Sequence, residues 1–167
     1  MLPLVLDPAR LKAGLAGHGP ARDRRAALLA DAGVEVQLLP EGASGKLLEE
    51  LQVLFVAGLE EGAARTLATR ARALGVLVNV EDVPALCDFH VPAIVRRGEL
   101  LLTASTGGQA PGLARALREH LAEHFGTEWT ARLKELGQAR ARWRSEGLSP
   151  PQVSERMRHL IAERGWL

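Results

Sequence analysis

Between residues 12 and 80, short apolar runs alternate with helix-period stripes, and a glycine closes each stripe. No other feature constrains the fold as much. Lys12-Ala13-Gly14-Leu15-Ala16 leads into the turn Ala16-Gly17-His18-Gly19-Pro20-Ala21-Arg22. A helix through Arg24 to Leu29 then stops at Gly33, and Val34, Val36 and Leu38 alternate after it. A loop and short helix fill 42–50, Leu51 to Ala57 is a strand apolar enough to be buried on both faces, and Gly58 turns the chain. A helix over 60–74 buries Ala64, Leu67, Ala68, Ala71 and Leu74 on one face and stops at Gly75, and a fourth strand follows at 76–80. Strands joined by single helices at this spacing build a parallel sheet with right-handed crossovers. The expected fold class is α/β, with a small Rossmann-like domain over residues 1–91.

Past Pro92 the pattern changes. Ala93 to Val95 and Leu100 to Ala104 read as strands split by Arg96-Arg97-Gly98-Glu99, a hairpin suited to pairing across a dimer axis. Pro111 opens a helix to residue 124, with Leu113, Leu117 and Leu121 on one face and Arg115 and Arg118 on another. Two more helices follow. One carries Trp129, Leu133, Leu136 and Trp143; the other opens on the capping box Ser149-Pro150-Pro151-Gln152 and presents Val153, Met157, Leu160 and Ile161. The division is therefore 1–91, a segment at 92–121 and a C-terminal helical segment at 122–167.

Composition narrows the partners. A net charge of +1, with arginines spread along the chain, gives no basic surface for nucleic acid. Segments approaching the ~20 apolar residues of a membrane span are absent, and the first residues lack the basic start of a signal peptide. Cys87 is the sole cysteine, which rules out an internal disulfide and fits a reducing compartment, so a cytoplasmic location is expected.

Three places carry chemistry. Gly17 and Gly19 supply the first two glycines of a dinucleotide fingerprint, whose third position is Arg22; that guanidinium either contacts a phosphate or fills the cleft. Glu41 is the nearest acid to bind a ribose hydroxyl after the second strand. Glu81 and Asp82 stand at the end of the fourth strand, where strand alternation points them to opposite faces. Ser105-Thr106-Gly107-Gly108 before Pro111 combines close backbone approach with a helix start, an arrangement that receives anions. His120-Leu121-Ala122-Glu123-His124 fits the zinc pattern H-x-x-E-H, but with no third ligand in the sequence it reads as a solvated helix face, and no metal ligand is expected.

Asn79-Val80-x-Asp82-x-Pro84, then Cys87-Asp88-Phe89-x-x-Pro92-Ala93-Ile94-Val95-x-Arg97-Gly98, then Ser105-Thr106-Gly107-Gly108-x-x-Pro111-x-Leu113-Ala114-Arg115 resembles the precorrin-2 dehydrogenase and sirohydrochlorin ferrochelatase family. That family is the N-terminal module of siroheme synthase and also occurs free-standing. The resemblance implies NAD-dependent oxidation of precorrin-2 to sirohydrochlorin in a homodimer, with residues 92–121 as the dimerisation segment and ferrochelatase activity on Fe2+ as a second step. It implies Asp82 as the catalytic acid/base. Gly17, His18, Gly19, Pro20, Ala21, Leu38, Leu39, Ala57 and Gly58 become cofactor-binding positions, and Ser105, Thr106, Gly107, Gly108, Arg97 and Arg115 hold the carboxylate-rich tetrapyrrole. Two departures stand on the cofactor side. His18 replaces the middle of three family glycines, and Leu59-Glu60 stands where the family has Thr-Asp or Thr-Asn. A chelatase without NAD chemistry and a non-catalytic tetrapyrrole-binding module are the alternatives.

Overall fold

The computed structural model describes residues 2–40 and 42–167 and divides into two compact units, Met1–Val91 and Pro92–Leu167. The first holds a four-stranded parallel sheet. Its strands are β1 (Ala13–Gly17), β2 (Val36–Leu39), β3 (Val53–Ala57) and β4 (Leu77–Val80), in spatial order β2-β1-β3-β4. Helices α1 (Gly19–Asp31), α2 (Gly45–Glu49) and α3 (Glu61–Ala73) connect them. In β3 all five residues are buried, and alternation divides them between two cores. Leu54 and Val56 pack with Val78, Val80 and the α3 residues Ala64, Leu67, Ala68 and Ala71. Val53 and Phe55 pack with Ala13, Leu15 and Leu29 of α1. Each fully buried leucine contributes about 1.5–3 kcal/mol.

β1 is poor in strand formers, yet it occupies a central position, paired on both sides. Its small residues have a packing reason: a Cβ on Gly14 would lie 2.5 Å from a methyl of Leu51, so a larger residue would displace the core. Tertiary context outweighs local preference here. The outer edge of β4 is covered by the segment that follows it. Val78 N–H donates to the Asp88 carboxylate at 2.9 Å, and Asp88 N–H donates to Val78 O at 2.7 Å. Arg72 of α3 holds the same carboxylate at 2.8 Å. An open sheet edge is thereby closed.

In the second unit β5 (Ala93–Arg97) and β6 (Leu100–Ala104) form an antiparallel hairpin in the register Ala93↔Ala104 to Arg97↔Leu100. Arg96 and Arg97 therefore lie in β5, not in the turn, because the loop is only Gly98-Glu99. α4 (Pro111–His124) packs on the hairpin, and α5 (Trp129–Ser145) packs on α6 (Pro150–Glu163) around Ala139, Trp143 and Val153. The capping box forms as expected: Gln152 Oε1 accepts from the Ser149 N–H at 2.9 Å. Among the described residues, no helix is long and apolar enough to cross a membrane.

Candidate active site

The order β2-β1-β3-β4 places a topological switch point between β1 and β3, since the chain leaves β1 toward one side and returns on the other. Ligands of open α/β sheets bind at the carboxyl ends of strands beside such a point. Here those ends are Gly17 and Ala57, partners in register. The two turns beyond them touch backbone to backbone. A Cβ on Gly17, at φ 125°, would sit 1.8 Å from Ala57 O, and one on Gly58, at φ 77°, would sit 2.1 Å from His18 O. Glycine is required at both for shape as well as for conformation.

α1 begins at Gly19 with His18 as its N-cap residue and Pro20 in its first turn, so backbone N–H groups face the rim of the sheet. A dinucleotide pyrophosphate fits this cradle of bare backbone and helix N-terminus. The Arg22 guanidinium is bound at 2.7 Å to the neighbouring Asp23. Leu38 is 60% exposed at the tip of β2, while Leu39 turns into the core. Glu41 lies outside the described residues. Where the family has a polar pair after β3, Leu59 packs against the α3 core and Glu60 caps α3, accepting the Gly62 N–H at 2.9 Å.

Glu81 and Asp82, expected on opposite faces of a strand end, instead form a turn, since β4 stops at Val80. Asp82 has φ 61° and is the single non-glycine residue at positive φ among the described residues. Such a conformation costs about 1–3 kcal/mol and clusters at functional sites. The burial expected for a proton-accepting carboxylate is not present: Asp82 is exposed in the single chain. What surrounds it is well fixed. The Cys87 thiol accepts from Val80 N–H at 3.3 Å, and its sulfur lies 3.2 Å from Val80 O.

A polar group that the sequence reading did not isolate supports the same turn. Glu81 lies 3.8 Å from Arg25 of α1, their side chains 21% and 12% exposed. The Arg25 guanidinium also sits 5.7 Å above the Phe55 ring. Asn79, 6% exposed and in register with Phe55, donates to Phe89 O at 2.9 Å. A signal for Arg25 exists in the sequence: it stands four residues before Leu29, on the buried stripe of α1.

The expected tetrapyrrole-binding residues lie in the second unit. Gly107 and Gly108 both adopt left-handed conformations, at φ 64° and 80°. The Gly107 N–H is already directed at Ser105 Oγ and the Ala110 N–H at Thr106 Oγ1, both at 3.3 Å, so part of the expected donor set is engaged within the loop. Thr106 retains its hydroxyl proton. Arg97 is given a structural task instead of a ligand: its guanidinium donates to Phe125 O at 2.7 Å, Arg96 O at 3.0 Å and Ala122 O at 3.2 Å, closing the end of α4. Arg115 is exposed and hydrogen-bonded to Glu119 at 2.9 Å. That bond raises the Arg115 pKa and holds the Glu119 carboxyl below its usual range. In the first unit, a groove of about 420 Å3 lined by Leu11, Lys12, Val36, Gln37 and Leu51 lies at the amino-terminal edge of the parallel sheet, opposite the strand ends at Gly17 and Ala57.

Residues 4–93 match the family model described as "Putative NAD(P)-binding". The chain belongs to this family. The matched span contains the whole parallel sheet and its glycine cradle, and it assigns a nicotinamide dinucleotide to the fold without choosing between NAD and NADP. Siroheme synthase of Methylococcus capsulatus is 34% identical over 150 residues, covering 75% of this chain and 32% of that protein. Siroheme synthase of Pseudomonas aeruginosa strain LESB58 is 34% identical over 190 residues, covering 93% of this chain and 40% of that protein. The chain thus spans a third to two fifths of the length of these curated relatives. Among solved structures, SirC, a precorrin-2 dehydrogenase, superposes with a TM-score of 0.70 at 18% identity, covering 96% of this chain and 89% of that one. The expected resemblance and the α/β fold class are both borne out by these matches.

Proposed function

We propose that the protein is an NAD-dependent precorrin-2 dehydrogenase of siroheme biosynthesis, acting as a cytoplasmic homodimer. The observation that carries this reading is Asp82, a carboxylate held in a left-handed turn at the carboxyl rim of an NAD(P)-family sheet. Siroheme synthases supply the relatives in sequence, and a precorrin-2 dehydrogenase is similar in fold.

In this reading Gly17, His18, Gly19, Pro20 and Ala21, with Ala57 and Gly58, receive the dinucleotide backbone, while Leu38 and Leu39 flank its nucleoside end. A nicotinamide held there would supply the acceptor for the hydride removed from the substrate. Asp82 accepts the proton that leaves with it, so two electrons and two hydrogens are accounted for. The exposure of Asp82 in a single chain makes its desolvation a task for the bound macrocycle. Thr106, Gly107, Gly108 and Arg115 meet the substrate carboxylates, helped by Ser105, which shapes the loop through Gly107. Leu113 and Leu117 of α4 are 54% and 40% exposed, and the sheet of the second unit has only two strands; both support burial against a second copy. Insertion of Fe2+ into sirohydrochlorin at the same acid is the second activity of this reading.

The test is anaerobic incubation of the pure chain with precorrin-2 and NAD+, NADP+ or neither, following the sirohydrochlorin spectrum, and then addition of Fe2+. Colour that depends on NAD+ supports the dehydrogenase. Metal insertion into supplied sirohydrochlorin without nicotinamide turnover would assign a chelatase instead.

A further inference from the structure

We propose that His120, Glu123 and His124, on the exposed face of α4, form a binding site for a late first-row divalent metal ion such as Zn2+, Ni2+ or Cu2+. The site lies on the α4 stripe that also carries Leu113 and Leu117, at spacings 113, 117, 120 and 124, and its test reads metal binding and not turnover.

Three observations converge on it. Spacings of three and four residues place the side chains on one helix face, and their ligating atoms all lie within 4.8 Å of one another. With metal–ligand bonds of about 2.0–2.1 Å, two ligand atoms across a metal are at most ~4.2 Å apart, so small side-chain rotations close the cluster. All three residues are exposed, so those rotations meet little resistance.

The tautomer of His124 is also set. Its Nδ1 lies 2.9 Å from the backbone oxygen of His120. A carbonyl oxygen can only accept, so Nδ1 donates here and Nε2 is the ring nitrogen left to face a metal. A ring N–H anchored on a backbone carbonyl is the usual outer support of a metal-bound imidazole. The two imidazole rings already stand with centroids 4.1 Å apart.

Position on the helix adds to this. His124 is the last residue of α4, where the negative end of the helix dipole favours a cation. Two imidazoles and one carboxylate suit zinc, nickel and copper better than magnesium or calcium, which prefer all-oxygen shells. Three protein ligands leave a coordination position open to water or to a further ligand.

The test uses the full chain freed of any polyhistidine tag. Co2+ serves as the visible-spectroscopic probe and Zn2+ as its competitor, with calorimetry as the second measurement. A single saturable Co2+ site of nitrogen and oxygen character, displaced by Zn2+, is expected in the unaltered chain and in His159→Gln, which removes an exposed histidine on α6. The saturable event should be lost in His120→Gln and in His124→Gln and weakened in Glu123→Gln, with helical circular dichroism unchanged. Unaltered binding in both histidine variants, absence of saturable binding in the unaltered chain, or a thiolate charge-transfer band pointing to Cys87 would each overturn the proposal.

Discussion

Replacing Gly58 by alanine probes the contact on which the proposed cofactor cradle is built, and Gly75 provides a matched control. Both glycines are left-handed, at φ 77° and 79°, so alanine carries the same backbone penalty at each, about 1–2 kcal/mol. Their surroundings differ. A Cβ at Gly75 meets nothing within 4 Å, whereas at Gly58 it lies 2.1 Å from the backbone oxygen of His18. That oxygen belongs to the N-cap residue of α1 and cannot yield as a flexible side chain would. The two turns must separate, at a further cost of about 1–3 kcal/mol for overpacking. Gly58→Ala should therefore lose about 2–5 kcal/mol in total and Gly75→Ala about 1–2. With an m value near ~2 kcal/mol per molar urea, the two midpoints should differ by roughly 1 M. Titration with NADH and NADPH supplies the functional half: Gly75→Ala should bind as the unaltered chain does, and Gly58→Ala should not bind. Equal urea midpoints together with unchanged dinucleotide binding in Gly58→Ala would refute the claim that these abutting turns form the cradle.

Other perturbations separate the remaining roles. Arg97→Ala removes charged hydrogen bonds to carbonyls at the end of α4 and should lower stability by about 2–3 kcal/mol in urea unfolding, with Arg97→Lys recovering little of it. Glu119→Gln releases Arg115, so binding of the anionic tetrapyrrole should tighten at low ionic strength and lose that gain in salt. The Glu119 carboxyl is held low by Arg115, so the pair's small stabilising effect is present above the ordinary carboxylate range and fades as pH falls through the lowered value; being exposed, it should leave thermal unfolding at neutral pH unchanged. Asp82→Gly relieves a left-handed non-glycine residue while loosening the unfolded chain, so unfolding should occur no earlier than in the unaltered protein even as precorrin-2 turnover is lost.

The fold was largely legible because its signals are periodic. β3 is continuously apolar, and the α3 stripe is one buried face from Ala64 to Ala71, while Leu74, expected to be buried with it, is the C-cap and stands 39% exposed. β1 was the weakest strand by composition, and its central place rests on partners distant in sequence, Val36–Leu39 and Val53–Ala57. The glycine turn was visible as a pattern, but its reason was not: what Gly17 meets is Ala57, forty residues away. Asp82 stood out by position, while its conformation did not, because strand alternation assumes a strand running to residue 82 and β4 ends two residues earlier, at Val80. The arginines were least legible. Charge alone cannot tell Arg97, satisfied by three carbonyls, from Arg115, half-neutralised at the surface, or from Arg25, set over an aromatic ring.

The central claim is that a single carboxylate after β4 takes the proton when precorrin-2 is oxidised. Asn tolerates the left-handed turn as well as Asp does and has the same shape, so Asp82→Asn removes the base and little else. In single-turnover reactions with bound NAD+, this variant should bind precorrin-2 as the unaltered chain does and form neither sirohydrochlorin nor reduced nicotinamide. Sirohydrochlorin appearing at the unaltered rate would contradict it.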